Sequence, residues 1–209
     1  MFKDRREAGD RLAEQLARRA FPGPSVVLAI PRGGVVVAAP VARALKAPLD
    51  VVVPRKLGAP GNPELAIGAV APGVRVLDQR LLGILGVTEE YLEHEVQDQE
   101  REIERRTAMY REGREPPALR GSTVIVVDDG VATGSTAKAA LRWVRAAGAA
   151  RVIFAAPVGP AAALAELGAY ADDVIILETP PSFRAVGEWF AVFDQVSDEH
   201  VLAELRGAA

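Results

Sequence analysis

Five short apolar runs constrain the fold of this chain more than any other feature: "SVVLAI" (25–30), "LDVVV" (49–53), "STVIVV" (122–127), "RVIFAA" (151–156) and "DDVIIL" (172–177). Each has the length of a strand, is rich in valine or isoleucine, and does not alternate with polar residues. That is the pattern of parallel strands covered on both faces. Helical patterns lie between most of them, as "GVVVAAPVARALK", "STAKAALRWVRAAG" and "PAAALAELG". The last two end at Gly148 and Gly168, as helices commonly stop. The expected fold class is therefore α/β, with a mostly parallel central sheet flanked by helices. A chain of 209 residues suits one domain, spanning 1–209.

Two stretches interrupt the alternation. Residues 57–78, "LGAPGNPELAIGAVAPGVRVLD", carry glycine and proline turns around two strand-like pieces, as a flexible loop plus hairpin would. Residues 88–113, "TEEYLEHEVQDQEREIERRTAMYREG", predict one inserted helix with sparse apolar positions and opposite charges four apart, such as Glu102 with Arg106. Its expected role is a solvated cover. Composition narrows the function. No apolar run is long enough to cross a bilayer, and "FKDRREAGDRLAEQLARR" is too charged for a secretory signal, so a cytoplasmic protein is expected. There is no cysteine, which removes disulfides and thiolate nucleophiles together. With a net charge of −3 and no basic run, nucleic acid is not an expected partner, whereas a small anion is compatible. The two histidines, His94 and His200, lie far apart in charged helical patterns and support neither a His-rich metal site nor a Ser-His-Asp triad.

The chemistry concentrates in "VIVVDDGVATGST", Val124 to Thr136. In an open parallel sheet, ligands bind outside the carboxyl ends of the strands, which is where Asp128 and Asp129 fall. Behind them "GVATGST" leads into a helix beginning near Ser135, so small residues expose backbone N–H groups where the helix dipole favours an anion. Thr133, Ser135 and Thr136 add hydroxyl donors, and Gly130 and Gly134 permit a tight turn. Two carboxylates beside a phosphate cradle make sense if the ligand carries hydroxyls next to its phosphate. A ribose 5-phosphate does, and ionised carboxylates accept hydrogen bonds from its diol. The Walker and dinucleotide fingerprints are absent, since no lysine follows the second glycine and the glycine spacing differs.

At these residues the chain resembles the type I phosphoribosyltransferases, whose signature is a hydrophobic strand, two acids and a small loop ending in Thr-Gly-Gly/Ser-Thr. The resemblance implies that the loop of Val131, Ala132, Thr133, Gly134, Ser135 and Thr136 holds the 5-phosphate of phosphoribosyl pyrophosphate, while Asp128 and Asp129 hold its ribose hydroxyls. Magnesium would accompany the substrate, held mainly through it, and a homodimer is expected. "AIPRGG" after the first strand looks like the family's pyrophosphate loop, with Arg32, Gly33 and Gly34 as its residues and a non-prolyl cis peptide expected between Pro31 and Arg32. The aspartate that hypoxanthine and guanine enzymes place just before Thr-Gly is Ala132 here, which disfavours a 6-oxopurine acceptor.

Arg55 and Lys56 close another strand and precede the glycine-rich stretch, where the family has its catalytic loop. Cations there would neutralise the departing pyrophosphate. Glu64 is either a contact to the incoming nucleophile or a solvated turn residue. Residues 179–209 form a C-terminal hood and tail, in which Phe183, Trp189, Phe190 and Phe193 either stack on the acceptor base, Trp189 foremost, or anchor the segment. The implied reaction transfers the 5-phosphoribosyl group to a nitrogenous acceptor, a nucleobase being expected, with loss of pyrophosphate. The alternative is a regulator that senses phosphoribosyl pyrophosphate without turning it over.

Overall fold

The computed structural model describes residues 1–208. In chain order the elements are α1 (Arg5–Ala17), β1 (Ser25–Ala29), α2 (Gly33–Leu45), β2 (Leu49–Val51), β3 (Arg55–Ala59), β4 (Asn62–Ala71), β5 (Val74–Leu77) and α3 (Gln79–Leu85). They continue with α4 (Glu89–Arg111), β6 (Thr123–Val127), α5 (Ser135–Ala146), β7 (Arg151–Val158), α6 (Ala161–Gly168), β8 (Asp173–Glu178), a 3-10 turn at Val186–Trp189, and α7 (Asp198–Gly207).

The five apolar runs are the five strands of one sheet, in the order β2-β1-β6-β7-β8, and every pairing is parallel. Strand geometry sends alternate residues to opposite faces. Val27, Ile125 and Ile153 sit side by side in register and face the core formed with α1, α2, α4 and α7. Leu28, Val126 and Phe154, the next row, face α5 and α6. Both faces are thus dry, which explains why the strands read as unbroken apolar runs. Each of these side chains contributes roughly 1.5–3 kcal/mol by leaving water.

From β1 the chain crosses to β2 on one side and returns through β6 on the other. The switch point of the sheet therefore lies between β1 and β6, and the loops at their carboxyl ends part around a crevice. The stretch expected as a loop plus two-stranded hairpin is a separate antiparallel sheet of three strands, β3-β4-β5. Its small inner residues Ala69 and Ala71 pack with Ala139 and Trp143 of α5.

Helix α4 starts at the N-cap Thr88, whose side chain accepts from the Tyr91 N–H, and has Glu89 and Glu90 in its first turn, where the helix dipole favours acids. One stripe, Leu92, Val96, Ile103 and Tyr110, is buried. Tyr110 Oη donates to Asp198 Oδ1 at 2.5 Å and ties α4 to α7; burial and that carboxylate push its phenol upward. At the far end of α4, Arg111 Nε and Nη2 reach Asp50 Oδ2 at 3.0 and 2.9 Å, and Asp50 is only 5% exposed. Among the described residues no helix is long and apolar enough to cross a membrane.

Candidate active site

The crevice at the switch point is a cleft of about 530 Å³ lined by Arg32, Gly33, Arg55, Lys56, Glu64, Asp128, Asp129 and Thr136, together with Glu95 and Gln99 of α4. Residues from distant parts of the chain thus meet at the carboxyl end of the sheet.

Strand β6 delivers the acid pair. Asp128 Oδ1 turns back to accept from the Asp129 N–H at 2.9 Å. Burial, and next the neighbouring Asp129 charge, hold the Asp128 carboxyl well above the usual carboxylate range. The sign of the consequence follows from linkage. A raised folded value means that the folded state keeps a proton the unfolded chain releases, so stability falls as pH rises from the ordinary carboxylate value through the folded one. Asp128→Asn should therefore raise the denaturation midpoint at pH 8 and leave it unchanged at pH 3, where the carboxyl is protonated in both states. A midpoint at pH 8 equal to that of the unaltered protein would contradict this reading of the site.

Asp129 has a different partner. Its Oδ2 accepts from Arg5 Nε at 2.7 Å, with the two side chains only 17% and 12% exposed. Arg5 Nη1 also donates to the Asp194 carbonyl at 2.8 Å, and its guanidinium lies 3.7 Å from the centre of the Phe193 ring.

The loop after β1 faces this pair. The Pro31–Arg32 peptide is cis, as the resemblance led one to expect. Gly33 is required by space: a Cβ there would stand 1.9 Å from Asp129 Oδ2 and 2.7 Å from Arg5 Nε. Gly34 lies below, with a Cβ position 2.9 Å from the Val127 carbonyl, so the loop can approach the strand end only without side chains.

At the start of α5, Gly134 has φ +72°, a conformation that costs glycine nothing. It swings Ser135 and Thr136 into the first turn. None of the backbone N–H groups from Ala132 to Thr136 donates to another described residue, so these donors are left at the positive end of the helix, as anion binding needs. Thr133 Oγ1 lies 3.4 Å from Ser135 Oγ, which brings the two hydroxyls together. Val131 does not join them. Its N–H is bonded to the Val158 carbonyl at 2.9 Å and its side chain is buried in the core, so it is the root of the loop and offers no donor.

Strand β3 brings Arg55 and Lys56 to the opposite wall. Arg55 Nε donates to Gln99 Oε1 at 2.9 Å. The Gly58 N–H donates to Glu95 Oε1 at 3.2 Å, and Tyr91 Oη donates to the Gly58 carbonyl at 3.0 Å. The helix expected as a solvated cover therefore grips β3 with one polar stripe, Tyr91, Glu95 and Gln99, beside its buried one. Glu64 lines the cleft and is exposed.

Trp189 is not among the residues that line the cleft. It packs with Phe183 and Val186 on the cluster of Phe2, Ala8, Val158 and Phe190, its carbonyl accepts from the Phe2 N–H at 2.7 Å, and Phe190 stacks on Phe193 with centroids 5.0 Å apart. The ring anchors the C-terminal segment to the chain start, because the apolar surface available to it lies there. Reading the sequence also missed Arg5, which has no signature separating it from Arg6 or Arg11, and Glu95 and Gln99, which look like any solvated helix face.

Fold and cleft together define a class, an α/β protein with an acid pair and a helix start with free N–H donors at its switch point. The family profile described as the phosphoribosyl transferase domain matches residues 2–189, and the chain belongs to that family. It is 45% identical over all 209 residues to a provisionally named phosphoribosyl transferase of Mycobacterium tuberculosis H37Rv. It spans 47% of that protein's length, about half. The crystal structure of TT1426 from Thermus thermophilus is similar at a TM-score of 0.83 and 46% identity, with 100% of this chain and 99% of that one covered. The structure of AQ2163 from Aquifex aeolicus shares the fold alone, at a TM-score of 0.52 and 12% identity over 84% of this chain and 73% of that one.

Proposed function

We propose that the protein transfers the 5-phosphoribosyl group of phosphoribosyl pyrophosphate to a nitrogenous acceptor and releases pyrophosphate. The observation that carries this reading is the convergence of an acid pair, a close-packed glycine turn, three cations and the first turn of α5 on one cleft. Each part matches one part of the substrate. The Ala132–Thr136 N–H groups and the hydroxyls of Thr133, Ser135 and Thr136 suit the 5-phosphate. Asp128 and Asp129 suit the ribose hydroxyls, and Arg32 in the glycine turn beside them suits the pyrophosphate.

Among the described residues no three His, Cys, Asp or Glu side chains converge on one point. The hard carboxylate oxygens of Asp128 and Asp129 nevertheless fit magnesium, which takes few protein ligands and keeps substrate oxygens and waters. When bound, the metal supplies charge neutralisation on the pyrophosphate. The protein's own groups do the rest. The Asp129 carboxylate beside the sugar opposes the positive charge that develops at the anomeric carbon as the acceptor nitrogen attacks. Arg55, aimed by Gln99, and Lys56 oppose the negative charge gathering on the leaving group. With Ala132 just before Thr-Gly, the loop supplies no base for a 6-oxopurine, and other nitrogen acceptors are favoured.

The test is pyrophosphate release from magnesium phosphoribosyl pyrophosphate across a panel of purine, pyrimidine and other nitrogen acceptors. Turnover with at least one acceptor, and weaker turnover with hypoxanthine and guanine, is expected. Tight binding with no release across the panel would instead favour a sensor of the same ligand, and no binding would remove both readings.

A further inference from the structure

We propose that Arg5 is a positioning residue of the phosphoribosyl site, fixing Asp129 toward the ribose hydroxyls and fastening the C-terminal segment beside the same acid pair. The inference rests on the ribose assignment of Asp128 and Asp129 and extends the site to the first turn of α1, which no motif marks. One guanidinium makes three contacts beside the acid pair. Its Nε holds Asp129 Oδ2 at 2.7 Å, it fills the space that a side chain at position 33 would take, and it joins Asp194 and Phe193 of the C-terminal segment through Nη1 and the ring face.

Geometry gives Arg5 a task that a surface ion pair would not have. A carboxylate has lone pairs on both oxygens. Arg5 takes Oδ2, and Oδ1 accepts no hydrogen bond from another described residue, which leaves it for a ribose hydroxyl. Rotation of the carboxylate is blocked, so that oxygen keeps one direction before a ligand arrives. Charge gives a second task. Asp129 shares the cleft with Asp128 on its own loop, Arg32 before α2, Arg55 and Lys56 on β3, Glu64 on β4 and Glu95 on α4, and Arg5 reaches it from α1. Of the cations, only Arg5 forms a salt bridge with it among the described residues. Without Arg5, the Asp129 carboxylate would lose its one ion-pair partner among the described residues. The aromatic contact adds a cation–π hold on the Phe193 side, which desolvation strengthens.

The test compares the unaltered protein with Arg5→Ala and Arg5→Lys, using calorimetric binding of ribose 5-phosphate, of magnesium phosphoribosyl pyrophosphate and of inorganic phosphate. Arg5→Ala removes the hydrogen bond that fixes Asp129, so affinity for both sugar ligands should fall by roughly tenfold, at tenfold per 1.4 kcal/mol, while inorganic phosphate, which has no ribose hydroxyls, should bind within about twofold. Arg5→Lys should restore part of the loss, since it keeps the charge and a donor. Unchanged binding of the sugar ligands in Arg5→Ala, an equal loss for inorganic phosphate, or no recovery in Arg5→Lys would overturn the proposal. A crystal structure of ligand-free Arg5→Ala separates this from the ribose assignment. An Asp129 carboxylate turned from its present direction supports the hold even if neither ligand binds, and an unmoved one overturns it.

Discussion

Lys56→Ala should lower turnover by about 10²–10³-fold, the usual loss when one group stabilising transition-state charge is removed, while leaving ribose 5-phosphate affinity within about twofold, a few tenths of a kcal/mol. Lys56 sits on the β3 wall of the cleft, across from the acids, and its proposed partner is the pyrophosphate that ribose 5-phosphate lacks. Its charge matters most as that group departs, so kcat should suffer more than ground-state binding. Asp129→Asn should behave in the opposite way. The change keeps the shape of the side chain but replaces one acceptor by a donor that faces ribose hydroxyls. A hydrogen bond to a charged group, about 1.5–3 kcal/mol, is at stake, and affinity for both ligands should fall by about ten- to a hundredfold. Pyrophosphate-release kinetics and calorimetry on the two variants make the comparison. Equal loss of ribose 5-phosphate affinity in both would contradict the division of the cleft into a ribose side and a pyrophosphate side.

The second large effect is on stability. Arg111→Ala should destabilise the fold by about 3–5 kcal/mol, because it leaves a buried acid without its counterion. Asp50 lies at the sheet edge on β2 with 5% exposure, and Arg111 Nε and Nη2 both hold its Oδ2. At roughly 2–4 °C of Tm per kcal/mol for a chain of this size, the variant should melt about 6–20 °C lower. Replacing both partners, as Asp50→Leu with Arg111→Met, should recover most of the loss, since apolar substitutes for a buried pair are often neutral or better. Thermal melts of the single and double variants decide this. A single-variant loss below about 1 kcal/mol, the range of exposed pairs, would show that water reaches Asp50 freely.

Much of the scaffold was legible because its signals are local and periodic. The five strands lie where unbroken valine and isoleucine runs placed them, since a strand dry on both faces leaves no room for polar alternation. The acid pair and small loop were legible for a related reason, as no core or ordinary turn calls for two acids at a strand end followed by that loop. Trp189 could not be placed in advance, because a large aromatic after the last strand serves equally to cover a ligand or to anchor a segment, and only the position of Phe2 decides it. The grip of Tyr91, Glu95 and Gln99 on β3 was hidden for a different reason. A polar stripe at i,i+4 spacing is what any solvated helix shows, and its partner lies more than thirty residues away. Arg5 is the extreme case, with a separation of 124 residues from Asp129. Long-range pairing of single charges leaves no pattern in one sequence.

The central claim, that this cleft is shaped for a phosphoribosyl group, is tested most directly by a crystal structure of the protein with ribose 5-phosphate. The phosphate should lie on the N–H groups of Ala132–Thr136, with the ribose hydroxyls against Asp128 and Asp129 Oδ1. A well-ordered ligand bound elsewhere, or a phosphate in the cleft whose sugar turns away from both aspartates, would contradict it.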